Sequence, residues 1–386
     1  MKTFAVLLLL LMLSTTLQAQ TDKFTAFRES FKKELSDAGI AGGSFVFVKN
    51  GEVLAEQHYG LANIEKDQKI DRDTIYHWAS NTKPFTGIAI MQLRDRGLMK
   101  LDDPVTKYVP ELRKIHNSFG SMDEITIRHL LTHSGGFRNG TWPWRNNEPW
   151  EPFEPTEWSQ LVAMFPFTEV LFKPGSKFSY SNPGIIYLGR VIEEVSGESY
   201  ETYIDKNIFR PLGMHNTYFD TTPPHLLKHR SHSYYIENGK RTEGRFDADT
   251  GITVSNSGLN SPITDMVKYM NFLTGSNIDR VSYDTILKRS SLEEMWQPQL
   301  PTSVDANGNP GFSTNIGLTY FIDASNDRKL IGHGGDQNGF LSYIDVEPST
   351  KTATLIVMNT NVTYPPNTPP EKDVVSRLRT AMRKLF

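Results

Sequence analysis

The chain has 386 residues, enough for two domains or for one domain with a large insertion. Apolar content of 38% and charged content of 22% exclude a disordered or fibrous chain, and a formal net charge of −3 without a long basic run argues against nucleic acid or an anionic membrane as the main partner. The absence of cysteine excludes a disulfide framework, thiol catalysis and a lipid-bearing cysteine.

Residues 1–19 read as a secretory signal peptide: Lys2 supplies the positive start, Phe4 to Leu13 the apolar run, and Leu17-Gln18-Ala19 a small-residue exit. The run is too short to span a bilayer, and no later stretch approaches the ~18 apolar residues that would. The expectation is a secreted or periplasmic protein after cleavage near Ala19.

Phe24, Phe27, Phe31 and Leu35, spaced by three and four, predict an amphipathic helix over 21–39 ended by Gly39. Ser44–Lys49 and Glu52–Tyr59 are β-prone runs joined by Asn50-Gly51, a strong hairpin signal. Phe85–Leu93 is apolar on nearly every side and predicts a buried helix that emerges at Arg94–Arg96 and stops before Gly97. Between about 98 and 290 helical patterns dominate, at Ile127–Leu131, Gly184–Val195, Glu198–Ile208 and Thr264–Leu273.

Strand patterns return after about 310, at Gly317–Asp323, Lys329–Gly332, Phe340–Glu347 and Thr352–Asn359, before a closing helix over Glu371–Phe386. This order predicts an α+β fold: an antiparallel sheet from the N- and C-terminal segments (about 20–76 and 310–386), flanked by the terminal helices, with a mainly helical part (about 77–309) inserted.

Three short motifs carry chemistry. Ser80-Asn-Thr-Lys83 opens the buried helix. Pro84 crowds the carbonyl four residues back, least so if Ser80 lies in the first turn, and Lys83 then shares the face of Ser80. A serine hydroxyl needs a base beside it to attack, and a poorly solvated lysine can be that base or support it. Taken alone, S-x-x-K is more often an N-cap followed by a surface lysine.

The second motif, Tyr180-Ser181-Asn182, stands in a loop ahead of a helix; a tyrosinate beside lysines can pass protons, and an asparagine amide can fix a lysine or a substrate carbonyl. The third, His333-Gly334-Gly335-Asp336, lies on a strand whose glycines mark a close approach by another backbone or a ligand.

In this order the motifs resemble the serine β-lactamase and penicillin-binding protein family, in its branch of class C β-lactamases, DD-peptidases and related esterases. Leu130-Leu-Thr-His-Ser-Gly-Gly-Phe137 and Phe209-Arg-Pro-Leu-Gly-Met214 look like further landmarks of it. The resemblance implies a cleft between sheet and helical part, and a covalent acyl-enzyme with no metal or organic cofactor. It gives Ser80 the role of nucleophile and Lys83 and Tyr180 that of proton carriers. Asn182, His333 and Gly335 would orient the substrate, and the backbone N–H groups of Ser80 and Asp336 would hold the oxyanion.

Where the lactamases carry Lys-Thr-Gly, this chain has His333-Gly-Gly335, and a neutral imidazole attracts a substrate carboxylate less than an ammonium does. The expected substrate is a D-amino-acid peptide of the cell wall or a small acyl ester. The alternatives are β-lactam hydrolysis, a non-catalytic sensor that keeps the pocket, and carbohydrate binding. Four of the six tryptophans (Trp142, Trp144, Trp150, Trp158) crowd one loop and form either an aromatic wall over the cleft or a self-packed cluster. His225–His229 with His232 reads as a turn rather than a zinc site, and Asp305–Pro310 as a turn rather than a calcium loop.

Overall fold

The computed structural model describes residues 23–142, 155–247, 249–276, 280–302, 314–325, 328–364 and 369–386. Helix α1 (23–37) buries Phe24, Phe27, Phe31 and Leu35, and Gly39 beyond it has φ +69°. Strands β1 (Gly42–Lys49) and β2 (Glu52–Asn63) follow, and the turn between them puts Asn50 and Gly51 at φ 51° and 87°. Two consecutive positive φ values are what a two-residue hairpin turn demands, and Asn-Gly meets that demand at low steric cost.

The main sheet has nine strands, completed by β3 (Gln68–Lys69), β4 (Leu300–Pro301), β5 (Asn315–Ile316), β6 (Phe321–Ser325), β7 (Arg328–Gln337), β8 (Phe340–Glu347) and β9 (Thr352–Met358). Its order is β3-β2-β1-β9-β8-β7-β6-β5-β4, antiparallel throughout, with the N- and C-terminal segments meeting where β1 pairs with β9.

The period-two alternation of β1 sorts its side chains between two cores. Phe45 and Phe47 face α1 and the closing helix α6 (Val374–Arg383), and the Phe45 ring sits 4.7 Å from Phe27 and 5.0 Å from Phe31. Val46 and Val48 face the larger core, which contains helices α2 (Lys83–Asp95), α3 (Asn182–Ser196), α4 (Tyr200–Ile204) and α5 (Ile263–Thr274). Phe85, Ile88, Ile90, Met91 and Leu93 of α2 are all fully buried, as a helix without a polar stripe requires. Among the described residues no helix is long and apolar enough to cross a membrane.

The structure differs from the sequence pattern in three places. Gly317–Asp323 is not one strand: Gly317 N–H bonds Tyr320 O (2.8 Å), Thr319 has φ +63°, and the chain turns between β5 and β6. The backbone there bonds the helical part instead of a ladder, Leu318 N–H to Met295 O and Thr319 N–H to Leu131 O, both 2.8 Å.

Strand β7 runs to Gln337, well past Gly332. It pairs with β8 from Ile331 to Gln337 but with β6 only as far as Gly332, so among the described residues its last stretch has no strand on that side. The mainly helical part also carries strands. Tyr234–Glu237 pairs with Lys240–Glu243 and with Thr360–Val362, while Leu259–Pro262 pairs with Ile75–His77 and so ties the insertion to the entry of α2.

Charge is buried at one point of the sheet. Asp345 on β8 is 2% exposed and accepts from Arg379 (2.6 Å through both Nε and Nη2) and Arg383 (2.7 Å) of α6. Burial alone would raise its pKa, but the two guanidiniums overrule this and hold the carboxyl well below the usual range. Its contribution is therefore complete above the unfolded carboxylate pKa and is lost as pH falls through the folded one. Asp345→Asn takes from the buried Arg379 its carboxylate and leaves Arg383 with Asp323, so urea unfolding at pH 7 should show a loss of about 3–5 kcal/mol; a loss under 1 kcal/mol would contradict the assigned pairing.

Candidate active site

Ser80 lies in a 3-10 turn, Ala79–Thr82, that runs directly into α2, rather than in the first α-helical turn itself. Pro84 stands at the start of α2, where its missing N–H costs nothing. Ala79, just ahead of the serine, has φ +48°, a conformation that opposes its Cβ. Such strain persists only where the surroundings over-determine it, and here they do. Trp78 donates to Ser261 O (2.8 Å), Asn81 to Ser342 Oγ (2.9 Å) and Thr82 Oγ1 to Ala79 O (2.6 Å), while Thr82 Oγ1 accepts from Leu259 N–H (3.1 Å).

Lys83 has no solvent exposure, and its Nζ donates to Ser80 Oγ and to the main-chain O of Asn256, each at 2.9 Å. Asn256 belongs to the short helix Val254–Ser257. Tyr180 lines the cleft with Ser80, and its ring centroid is 4.9 Å from Lys83 Nζ. Protein packed around the phenol pushes its pKa upward, only partly offset by Ser80.

Ser181 caps α3 by accepting from Gly184 N–H (3.2 Å), which sets Asn182 in the first turn facing the cleft. Asn182 Oδ1 is buried without a hydrogen-bond partner among the described residues. Of the two tasks expected of it, fixing the lysine has passed to the Asn256 carbonyl, and holding substrate is the one left open.

His333 is 3% exposed, and its Nδ1–H donates to Gly334 O (2.6 Å). A carbonyl can only accept, so the proton sits on Nδ1, and Nε2 is a bare lone pair with no partner among the described residues. Burial, with Lys83 nearby, pushes the imidazole down to about 3. A Cβ at Gly335 would lie 2.1 Å from Trp78 O, so the glycine is what lets β7 press against the backbone leading into Ser80. Asp336 turns its carboxylate toward Asn361, whose Nδ2 donates at 2.7 Å.

These residues line one cleft of about 560 Å³: Ser80, Tyr180, Asn182, His333, Gly335 and Asp336 all face it, with Phe321, Gln337 and Arg379. It opens along the stretch of β7 that β6 leaves unpaired. Of the tryptophans, Trp142 and Trp158 pack against the larger core and do not line it; Trp144 and Trp150 lie outside the described residues, as does Asp305–Pro310. Leu227–His229 forms a 3-10 turn, and His232 pairs with Glu243.

One residue without an assigned role in the sequence stands out. His133 accepts from Ser181 N–H through Nδ1 (3.1 Å) and from Ser179 N–H through its carbonyl (2.8 Å), and its ring stacks on Tyr180 at 4.4 Å. It brackets Tyr180 on both sides from a left-handed backbone, φ +52°. The signal was present: His133 lies inside the Leu130–Phe137 landmark, but nothing there says which loop the ring meets. A second link joins His77 to the cleft residue Gln337 at 3.0 Å and to Asn260 at 3.1 Å.

Three buried imidazoles thus stay neutral: burial lowers His77 to about 4, His333 to about 3, and His133 well below its ordinary value. The unfolded chain protonates them below about pH 6.5 while the folded chain does not, so stability is full above that pH and falls as pH drops. Each histidine should cost up to ~1.4 kcal/mol per pH unit. The thermal midpoint should fall clearly between pH 7.5 and pH 5; a constant midpoint would contradict the neutral assignment.

The Beta-lactamase family model matches residues 24–375. Protein flp of Staphylococcus aureus (strain MW2) is 28% identical over 337 residues, 86% of this chain and 62% of flp. The chain thus spans about 62% of the length of the first curated relatives it matches. An octameric penicillin-binding protein homologue from Pyrococcus abyssi superposes with a TM-score of 0.75 at 25% identity, covering 93% of this chain and 77% of that one. D-amino acid amidase from Ochrobactrum anthropi SV3 shares the fold, with a TM-score of 0.72 at 21% identity over 94% of this chain and 99% of its own. The family match runs through every cleft residue from Ser80 to Asp336, and the chain belongs to the β-lactamase family.

Proposed function

We propose that this chain is a serine hydrolase that cleaves an amide or ester through an acyl-enzyme on Ser80. One observation carries the reading: Ser80 Oγ receives a hydrogen bond from the buried Lys83 at 2.9 Å, and the Tyr180 ring lies 4.9 Å from the same amine. A nucleophile, a base and a proton relay within hydrogen-bond reach are what acyl transfer needs. A pure binding pocket has no use for a lysine with zero exposure.

In acylation the Ser80 Oγ–C bond forms as the serine proton passes to the Lys83 amine. The bond to the leaving group then breaks, and Tyr180, protonated at rest, is placed to give that group its proton. Water attacks the ester in turn and yields its proton to the Tyr180 oxygen, and as the ester bond breaks Lys83 returns its proton to Ser80 Oγ. The backbone N–H groups of Ser80 and Asp336 are the proposed oxyanion donors, and the loss of one such donor costs ~3–4 kcal/mol. Asn182 and His333 orient the substrate from the cleft wall, and His133 holds Tyr180 in place.

The substrate is an acyl ester or a peptide or amide of D-amino acids, a reading supported by the fold shared with a D-amino acid amidase. The neutral His333 weighs against efficient β-lactam hydrolysis. The apolar leader supports work outside the cytoplasm after cleavage near Ala19. Ser80→Ala should reduce hydrolysis of a nitrophenyl ester by ~10⁴-fold or more, and Tyr180→Phe by ~10²-fold or more, with little change in unfolding midpoint for either. A Ser80→Ala variant that keeps wild-type turnover would overturn the assignment.

A further inference from the structure

Asn256 O, which accepts from Lys83, ends a chain of contacts that steps back through the loop 250–258 three residues at a time. Asn256 Nδ2 donates to Thr253 O (2.8 Å), and Thr253 Oγ1 donates to Thr250 O (2.9 Å). The first residue of that chain is held from outside the loop. Thr250 donates to the Asp220 carboxylate through its N–H (2.8 Å to Oδ2) and its Oγ1 (2.8 Å to Oδ1, 2.9 Å to Oδ2).

Asp220 also holds the other end of the loop. Its N–H donates to Gly258 O (3.0 Å), and its carbonyl accepts from Asn260 Nδ2 (3.1 Å). It makes these bonds from a left-handed backbone, φ +54°, which aspartate tolerates better than most residues. A Cβ on Gly258 would lie 2.8 Å from Asp220 Oδ1, so the glycine leaves room for the carboxylate. The middle of the loop has ties of its own, Thr86 Oγ1 to Ser255 O (2.7 Å) and Ile252 N–H to Thr156 O (3.2 Å), but it is Asp220 that joins the two ends.

No cation pairs with Asp220 among the described residues, and the charged groups that face it, Asp249 on the loop and Glu201 on α4, are both negative. The neighbouring Asp247 bonds Thr222 and lies 3.8 Å from Arg230. Burial first, then these two carboxylates, raise the Asp220 carboxyl to about 7. The folded chain thus keeps this proton to higher pH than the unfolded chain does. The cost to stability is absent below the unfolded carboxylate pKa and complete above about pH 7. An asparagine would occupy the same space without that cost. Only the carboxylate offers two bare oxygens to the two donors of Thr250; a carboxylic acid or a carboxamide offers one.

We propose, resting on the hydrolase reading above, that Asp220 is a positioning residue for the reaction: its ionised carboxylate holds Thr250 and, through the loop, sets the Asn256 carbonyl against Lys83. When the serine proton reaches Lys83 the amine becomes an ammonium, and Asn256 O is an acceptor already facing that charge. The gain therefore arises as Ser80 attacks and not as substrate binds. It fades as pH falls and Asp220 takes up a proton.

The test is single-turnover acylation by a nitrophenyl ester with protein in excess, at pH 8 and pH 6, for the wild type, Asp220→Asn and Thr250→Val. At pH 8 Asp220→Asn should lower the maximal acylation rate about tenfold and leave the half-saturating concentration within about twofold, as the loss of one charge-assisted hydrogen bond predicts. Its thermal midpoint at pH 8 should be unchanged or higher, since the uncompensated charge is gone. The ratio of its rates at pH 8 and pH 6 should be at least about threefold smaller than in the wild type. Thr250→Val removes one of the two donors and should move rate and ratio the same way by a smaller factor. An Asp220→Asn rate within about twofold of wild type, or a rate lost together with the thermal midpoint, overturns the positioning role while the hydrolase reading stands. If Asp220→Asn does not fold, Thr250→Val decides alone, and an unchanged pH ratio overturns the role. A wild type that neither releases nitrophenol nor labels at Ser80 with a fluorophosphonate overturns the hydrolase reading itself.

Discussion

A lysine with no solvent exposure, held between Ser80 Oγ and the carbonyl of Asn256, is the constraint on which the rest of the structure depends. An ammonium or amine cannot be buried without polar partners. Meeting that need fixes three separate segments relative to one another: the turn at Ala79–Thr82, the short helix Val254–Ser257 and the loop that carries Tyr180. The left-handed Ala79 and the close pass of Gly335 under Trp78 O follow from the same requirement, since the serine must leave the sheet and face the lysine within a few residues. The strain sits at the site, and the hydrogen bonds of Trp78, Asn81 and Thr82 offset it.

The architecture supplies a place for this arrangement. Two helices cover one face of the sheet and seal it with apolar side chains and the Asp345 charge cluster. The other face takes helix α5, and β7 outruns its neighbour β6, so the cleft forms at the stretch of β7 that β6 leaves unpaired instead of inside a packed layer. A strand edge offers main-chain N–H groups to a ligand. That is why the motif His333–Asp336, which looks unpromising as a strand because of its glycines, lies where main-chain chemistry is wanted.

Much of this was legible in the sequence because its signals are local. The hairpin at Asn50-Gly51, the apolar run of α2, the terminal amphipathic helices and the order of the three motifs each need only a short window. What was not legible depends on partners far along the chain. Asn256 contributes a carbonyl, which any residue has, so nothing in its type marks it. His133 lay inside a landmark, but its stacking on Tyr180 is a tertiary fact.

The segment Gly317–Tyr320 looked like strand because its apolar residues Leu318 and Tyr320 alternate; it turns because Met295 O and Leu131 O take its N–H groups. The measurement closest to the central claim is acid-quenched peptide mass mapping of the wild-type protein during turnover of a slow nitrophenyl ester. The account predicts an acyl mass on the peptide that contains Ser80 and on no other; an acyl mass on a different residue, or steady turnover with no adduct at any quench time, would contradict it.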